Sequence, residues 1–259
     1  MIIDTHMHIY DDKYLDKDEV IKNAINNGVG KMIVIGYDKD SSLKALELSK
    51  KYDFIYLAVG LHPSEVLKEA DPDLKWLTDI LDNEKVIAIG EIGLDYYWDK
   101  SFIEEQKYYF KKQIELSKKY NLPIIIHNRD AMQDTFDMIK DENIRGVLHC
   151  YGGSVEMARE LVKRGWYLGV GGVVTFKNAR VIKEVVREID LKYLLTETDS
   201  PYLAPTPHRG ELNEPAYTKY VVSEISKIKE ISQEEVEKQV EINVHNLFNI
   251  WGMIWKRFY

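Results

Sequence analysis

The sequence predicts a (β/α)8 barrel, the TIM-barrel class of α/β fold, and three observations lead there. Short apolar, β-branched runs alternate with longer amphipathic stretches down the whole chain. There are eight such units in roughly 250 residues, the count and length of that barrel. Most of the short runs are continuously apolar rather than alternating, as parallel strands covered by helices are. An open doubly wound sheet is the alternative that the same alternation allows.

The strands are expected at Ile2–His8, Lys31–Gly36, Ile55–Gly60, Val86–Gly93, Pro123–Asn128, Gly146–Gly152, Tyr167–Gly172 and Tyr193–Ser200. Between them the apolar period becomes helical. In the fourth connection Ile103, Phe110, Ile114 and Ser117 share a face, flanked by Tyr109, Leu116 and Tyr120. In the sixth, Val155, Ala158, Leu161 and Val162 do so, and Gly165 ends the helix where a left-handed residue costs little. In the last, Tyr217, Val221, Ile225 and Ile228 form the stripe, and Pro215 suits its first turn. A further helix is expected at about Gln233–Phe248, after the eighth unit. The tail Trp251–Tyr259 carries Trp251, Ile254, Trp255 and Phe258, expected to pack against the barrel. No Gly/Ser/Pro-rich linker interrupts the pattern, so residues 1–259 read as one domain, expected to be monomeric.

Composition narrows the function classes. Hydrophobic residues at 45% and charged residues at 30% are the balance of a soluble globular chain. The net charge of −8 argues against gripping nucleic acid through a global basic field, but leaves room for local contacts and a cationic centre. The single cysteine, Cys150, allows no intramolecular disulfide and fits a reducing compartment. A core-like strand begins at residue 2, and no apolar run approaches the roughly 18 residues of a membrane span. The expected location is the cytoplasm, with no membrane partner.

In this barrel class the active site lies at the C-terminal ends of the strands, so what ends each strand is informative. The first ends in His6 and His8, which share a face because strand side chains alternate. The third reaches His62, the fourth carries Glu91, the fifth ends in His127, the sixth in His149 and the eighth in Asp199. Five of the seven histidines sit at strand ends of one polarity; only His208 and His245 do not. Each alone has a structural explanation, but six coincidences at one rim are improbable. His6, His8, Glu91, His127, His149 and Asp199 supply four imidazoles and two carboxylates, enough for two metals. Glu91 has the two oxygens that a bridge needs.

These segments resemble a known family. His6-Met7-His8, Gly60-Leu61-His62-Pro63, Ile89-Gly90-Glu91-Ile92-Gly93-Leu94-Asp95, Pro123–Asp130, His149-Cys150-Tyr151 and Glu197-Thr198-Asp199-Ser200-Pro201 look like the successive motifs of the TatD metal-dependent hydrolases. The resemblance runs in order over most of the chain. It implies a distorted TIM barrel with a two-metal centre and deoxyribonuclease activity, typically 3′→5′ on single-stranded DNA. It also implies that His6, His8 and Asp199 hold one metal, His127 and His149 the other, and that Glu91 bridges. The chain departs from the pattern at Ser64, where a second histidine is frequent, at Ile92 and Gly152, and at Glu211-Leu212, where a basic pair is frequent. The last departure weakens the case for phosphate contacts in that loop.

Two cations would activate a water and stabilise the charge of a phosphodiester in hydrolysis; magnesium, manganese, zinc and cobalt all remain open. Glu91 and Asp199 are the candidate catalytic carboxylates, Asp199 accepting the water's proton. His62 has no obvious place among the ligands, and is either a donor to the substrate or a structural hydrogen-bonding group. Arg129 either pairs with a phosphate or bridges to a rim carboxylate. Asp130 is expected to cap the fifth helix, and Asp4 to orient a ligand. Tyr96, Tyr97 and Trp98 either stack bases or fill the packing beneath their loop. Lys107, Lys111, Lys112, Lys118 and Lys119 are expected on a solvated helix face, and Cys150 as a small buried residue facing away from His149. The alternative function is a metal-dependent amide or ester hydrolase of deacylase type, acting on a non-nucleic-acid substrate or an aminoacyl-tRNA.

Overall fold

A computed structural model of the chain describes residues 1–250. Its strands β1 (Ile2–Met7), β2 (Val29–Gly36), β3 (Ile55–Val59), β4 (Val86–Asp95), β5 (Ile124–Arg129), β6 (Gly146–Leu148), β7 (Tyr167–Val170) and β8 (Leu194–Thr196) form one sheet in sequential order. Every neighbouring pair in that order is parallel. The seam between β8 and β1 closes through a parallel bridge between Met7 and Ser200. Beside it the Asp199 N–H donates to the His6 carbonyl at 2.9 Å and the His8 N–H to the Ser200 carbonyl at 2.7 Å. Threonine hydroxyls replace ladder bonds deeper in the seam, Thr5 donating to the Thr196 carbonyl and Thr196 to that of Ile3. The architecture is the expected TIM barrel, with an irregular closure.

Helices α1 (Lys17–Asn26), α2 (Lys39–Lys51), α3 (Lys75–Leu81), α4 (Ile103–Tyr120), α5 (Met132–Ile139), α6 (Val155–Lys163), α7 (Arg180–Glu188) and α8 (Thr218–Lys229) follow the strands, and α9 (Gln233–Phe248) is the expected extra helix. Four begin on side-chain caps: Asp16, Asp38, Ser154 and Ser232 each accept a backbone N–H from the first turn. The stripes face inward as anticipated: Phe110, Ile114 and Ser117 in α4, and Val155, Ala158 and Leu161 in α6, are buried. The core is continuous from the strands to these faces, with Ile33, Leu57, Ile89, Ile125, Leu168 and Leu195 fully buried. None of the helices among the described residues is long and apolar enough to cross a membrane.

The strand ends need correction. β6 stops at Leu148 and β8 at Thr196, while β4 runs on to Asp95. Cys150 therefore does not alternate away from His149 on a strand; it is half-buried, in a left-handed turn with φ 44°. Asp130 caps nothing at α5: it has φ 54°, and the helix starts from Ala131 without a side-chain cap. The tail Trp251–Tyr259 lies outside the described residues.

Candidate metal centre

Two irregularities in the sheet aim the central side chains. Between Asp4 and Met7 the register of β1 slips by one residue against β2, and between Ile89 and Ile92 that of β4 slips likewise against β5. An extra residue of this kind bends a strand and re-aims a side chain, and here His6 and Glu91 lie within the slips. Beyond β6 and β8 the chain turns sharply at Cys150 and Asp199, the latter with φ 56°. Glu197 fixes the first turn by accepting the Cys150 N–H. A side chain at Gly169 on β7 would collide with that carboxylate, so the glycine leaves its space.

All seven of the residues expected at the centre of the site converge. Glu91 Oε2 lies 3.5 Å from His6 Nε2 and 3.9 Å from His8 Nε2. Glu91 Oε1 lies 2.8 Å from His149 Nε2, 2.9 Å from His127 Nδ1 and 3.7 Å from His62 Nε2. Asp199 Oδ1 completes the first side, 3.4 Å from His8 Nε2 and 3.7 Å from His6 Nε2. Three groupings bring ligand atoms within 4.8 Å of one another: His6, His149 and Asp199; His6, His8 and Glu91; and His62, Glu91 and His127.

Hydrogen bonds on the far side of three rings fix which inward nitrogen offers a lone pair and which an N–H. His8 Nδ1 lies 3.0 Å from the Ile35 carbonyl, which only accepts, so Nδ1 carries the proton and Nε2 offers its lone pair to the site. His127 Nε2 donates to Asp95 Oδ2 at 2.9 Å, leaving Nδ1 inward. His62 is the reverse case: its Nδ1 accepts the Ser64 N–H at 3.1 Å, so the inward Nε2 carries hydrogen. In that tautomer His62 turns an N–H and not a lone pair to the cluster, although its distance alone would admit it as a ligand. The buried ring nitrogens of His6 and the Nδ1 of His149 find no hydrogen-bond partner. Lone pairs facing carboxylate oxygens require positive charge between them, so this donor set fits divalent cations.

The protonation tendencies agree. Burial alone pushes the Glu91 carboxyl up, but His149, His62 and His127 outweigh it and hold it well below the carboxylate range. Burial pulls His149 down, yet Glu91 and Glu197 lift it well above the usual imidazole value. His127 and His8 are raised in the same way, by Asp95 with Glu91 and by Asp199 with Glu91, against burial. His62 goes the other way, to about 3, through burial and the neighbouring His127, and stays a neutral N–H donor.

Several residues of the site escaped the sequence reading. Asp95 supports His127, and Glu197 fixes the turn after His149. For Asp95 the signal was strand parity, since it follows Glu91 by four on β4, whereas Glu197 lies past the end of β8 and is marked only by its place two residues before Asp199. Asp11, Tyr37, Glu65 and Tyr202 help to line the cavity of about 310 Å³ above the cluster. Asp4 accepts the His6 and Thr198 N–H groups and so orients backbone, not an imidazole ring. Arg129 lies outside the cavity lining, exposed, with its guanidinium 3.7 Å over the Tyr97 ring. Lys107 does not simply face solvent, because it pairs with Asp134 at 2.7 Å.

This chain matches the family model described as TatD related DNase over residues 3–249. It belongs to the TatD family. It is 46% identical to the uncharacterized metal-dependent hydrolase YabD of Bacillus subtilis, over 96% of this chain and all of that one. It is 39% identical to an uncharacterized metal-dependent hydrolase of Methanocaldococcus jannaschii, over 95% of this chain and 96% of that one. The crystal structure of YjjV, a TatD homologue from Escherichia coli, superposes with a TM-score of 0.91 at 31% identity, covering 96% of this chain and 98% of that one. This TatD-family chain is thus a metal-dependent hydrolase built on a TIM barrel.

Proposed function

We propose that this TatD-family protein hydrolyses the phosphodiester bonds of DNA, removing nucleotides 3′→5′ from single strands, as a monomer using two divalent cations. The observation that carries the reading is the division of Glu91, one oxygen turned to His6 and His8 and the other to His127 and His149. A carboxylate shared in this way serves two sites at once. In this reading His6, His8 and Asp199 would hold one cation and His127 and His149 the other, with Glu91 shared between them. When bound, such cations lower the pKa of a water and stabilise charge on the attacking and leaving oxygens. Asp199, partly exposed on the cavity wall, takes the attacking water's proton. His62 turns its Nε2–H into the same cavity and donates to a phosphate oxygen or the leaving group. The cavity lies at the small end of the range for ligand sites, which suits the end of a strand better than a duplex.

One observation favours a second reading. Among the described residues the cavity is lined by Asp11 and Glu65 and by no lysine or arginine, and the loop beyond β8 has Glu211-Leu212, so its walls offer a polyanion little basic charge. A deacylase-type amide or ester hydrolase, including one acting on an aminoacyl-tRNA, would use the same activated water. The deciding experiment incubates protein loaded with Mg²⁺, Mn²⁺, Co²⁺ or Zn²⁺ with single-stranded oligonucleotides labelled at either end. Stepwise loss from the 3′ end is expected, and Glu91→Ala should remove both hydrolysis and metal occupancy measured by mass spectrometry. Intact oligonucleotide with every metal, alongside turnover of an N-acyl or aminoacyl ester substrate, would transfer the assignment to the deacylase.

A further inference from the structure

We infer that Tyr97 and Trp98, braced by Arg129, form a stacking platform for an unpaired nucleobase beside the hydrolytic centre. This rests on the nuclease reading and adds to it the feature that selects a single strand. The three consecutive aromatics after β4 divide their tasks. Tyr96 is half-buried and anchors the loop, its hydroxyl donating to Asp134 Oδ2 at 2.8 Å. Tyr97 and Trp98 project instead, 52% and 76% exposed. Large aromatic surface left to solvent at adjacent positions is unusual unless something covers it. Their rings meet edge-on, centroids 4.9 Å apart and planes at 88°. The Arg129 guanidinium lies 3.7 Å over Tyr97 and 5.3 Å from Trp98.

The platform is tied to the metal centre through one carboxylate. Asp95 Oδ1 accepts the Tyr97 N–H at 2.9 Å, while its Oδ2 accepts from His127 Nε2. The Tyr96 N–H donates to the Arg129 carbonyl at 2.9 Å, so the end of β5 holds the same loop. Three peptide units from Asp95 to Trp98 span at most about 10–11 Å, which keeps the indole within reach of nucleotides adjoining a phosphate at Glu91.

The chemistry matches a strand and not a generic apolar partner. Every base has a π-face, and an exposed indole takes any of them, so recognition is independent of sequence. A guanidinium stacked on an aromatic ring keeps its charge and its outward N–H groups for a phosphate. One local cation of this kind serves a chain whose net charge is −8. A duplex keeps its bases stacked inside and offers none to the platform.

The test is a cycle between protein and substrate, read as kcat/KM on a single-stranded oligonucleotide. Trp98→Ala is expected to lower it by about 5- to 150-fold, the range for loss of one base–aromatic stack, and Trp98→Phe by much less. An abasic residue walked through the first positions from the cleaved end should cause a similar loss at one position in the wild type. At that position it should cause no further loss in Trp98→Ala. Equal losses from Trp98→Phe and Trp98→Ala, or independent, multiplying losses at every position, would overturn the platform and leave the nuclease standing. A wild type that cleaves bis(p-nitrophenyl) phosphate but no oligonucleotide would overturn the nuclease reading, and the platform with it.

Discussion

Burial and hydrogen bonding pull the Asp4 carboxyl in opposite directions, and burial wins. The group is fully buried, and its pKa rises from the ordinary 3.8 to about 7, although the Thr198 hydroxyl and the His6 and Thr198 N–H groups favour its charged form. The folded chain thus keeps a proton that the unfolded chain releases between about pH 4 and pH 7. Stability from this group is complete below the unfolded value and declines as pH rises through the folded one, by up to about 4 kcal/mol. Asn at position 4 preserves the shape of the protonated acid: its oxygen accepts both N–H groups and its amide faces Thr198. Asp4→Asn should therefore gain on the wild type as pH rises from 5 to 8, in urea unfolding of metal-free protein. Parallel pH curves for the two would show that Asp4 does not titrate in this window.

Among the elements, α4 does more than cover the barrel. Its buried stripe contains two glutamines that close pairs of hydrogen bonds, one onto the end of β4 and one onto the segment after β3. Gln106 accepts the Asp95 N–H at 2.8 Å and donates to the Asp95 carbonyl at 2.9 Å. Gln113 does the same at Leu61, the residue before His62, at 2.7 and 3.1 Å. One helix face thus positions the support of His127 and the donor His62. Leucine at either position strands a buried N–H and a buried C=O, which costs about 2–4 kcal/mol in urea unfolding. The two variants should then diverge. Gln106→Leu loosens Asp95 and should weaken metal binding by about 10–100-fold in calorimetric titration. Gln113→Leu displaces a residue that holds no metal, so its loss should fall on turnover. Equal loss of metal affinity in both would contradict the role of His62 as a donor. These glutamines also mark where the sequence stopped being legible. Period and strand polarity identified the barrel and the converging residues, because both are repeated signals. Gln106 and Gln113 interrupt an apolar stripe and look like solvent-facing residues until their backbone partners are known. Cys150, Asp130 and the ends of β6 and β8 were misjudged for a related reason, since left-handed turns at non-glycine residues leave no local trace.

At the scale of the molecule, the barrel gathers carboxylates and imidazoles from six strand ends into one cluster, and that cluster must be neutralised. Without cations the neutralising charges are protons, and His8, His127 and His149 all have pKa values raised by the carboxylates they face. A raised imidazole contributes stability that is complete below its unfolded value near 6.5 and is lost as pH climbs through the folded value. The metal-free protein should therefore soften as pH rises from 6 to 8.5. Cations compete with the same protons for the same lone pairs, so they bind better over that range. At a free metal concentration about 100-fold above Kd the folded state gains about 2.7 kcal/mol, or roughly 5–10 °C in Tm for a chain of this size. The difference in Tm between loaded and chelator-treated protein should be small at pH 6 and widen towards pH 8.5 in calorimetric scans. A difference that stayed constant or narrowed with rising pH would mean that these imidazoles are not where the metal binds.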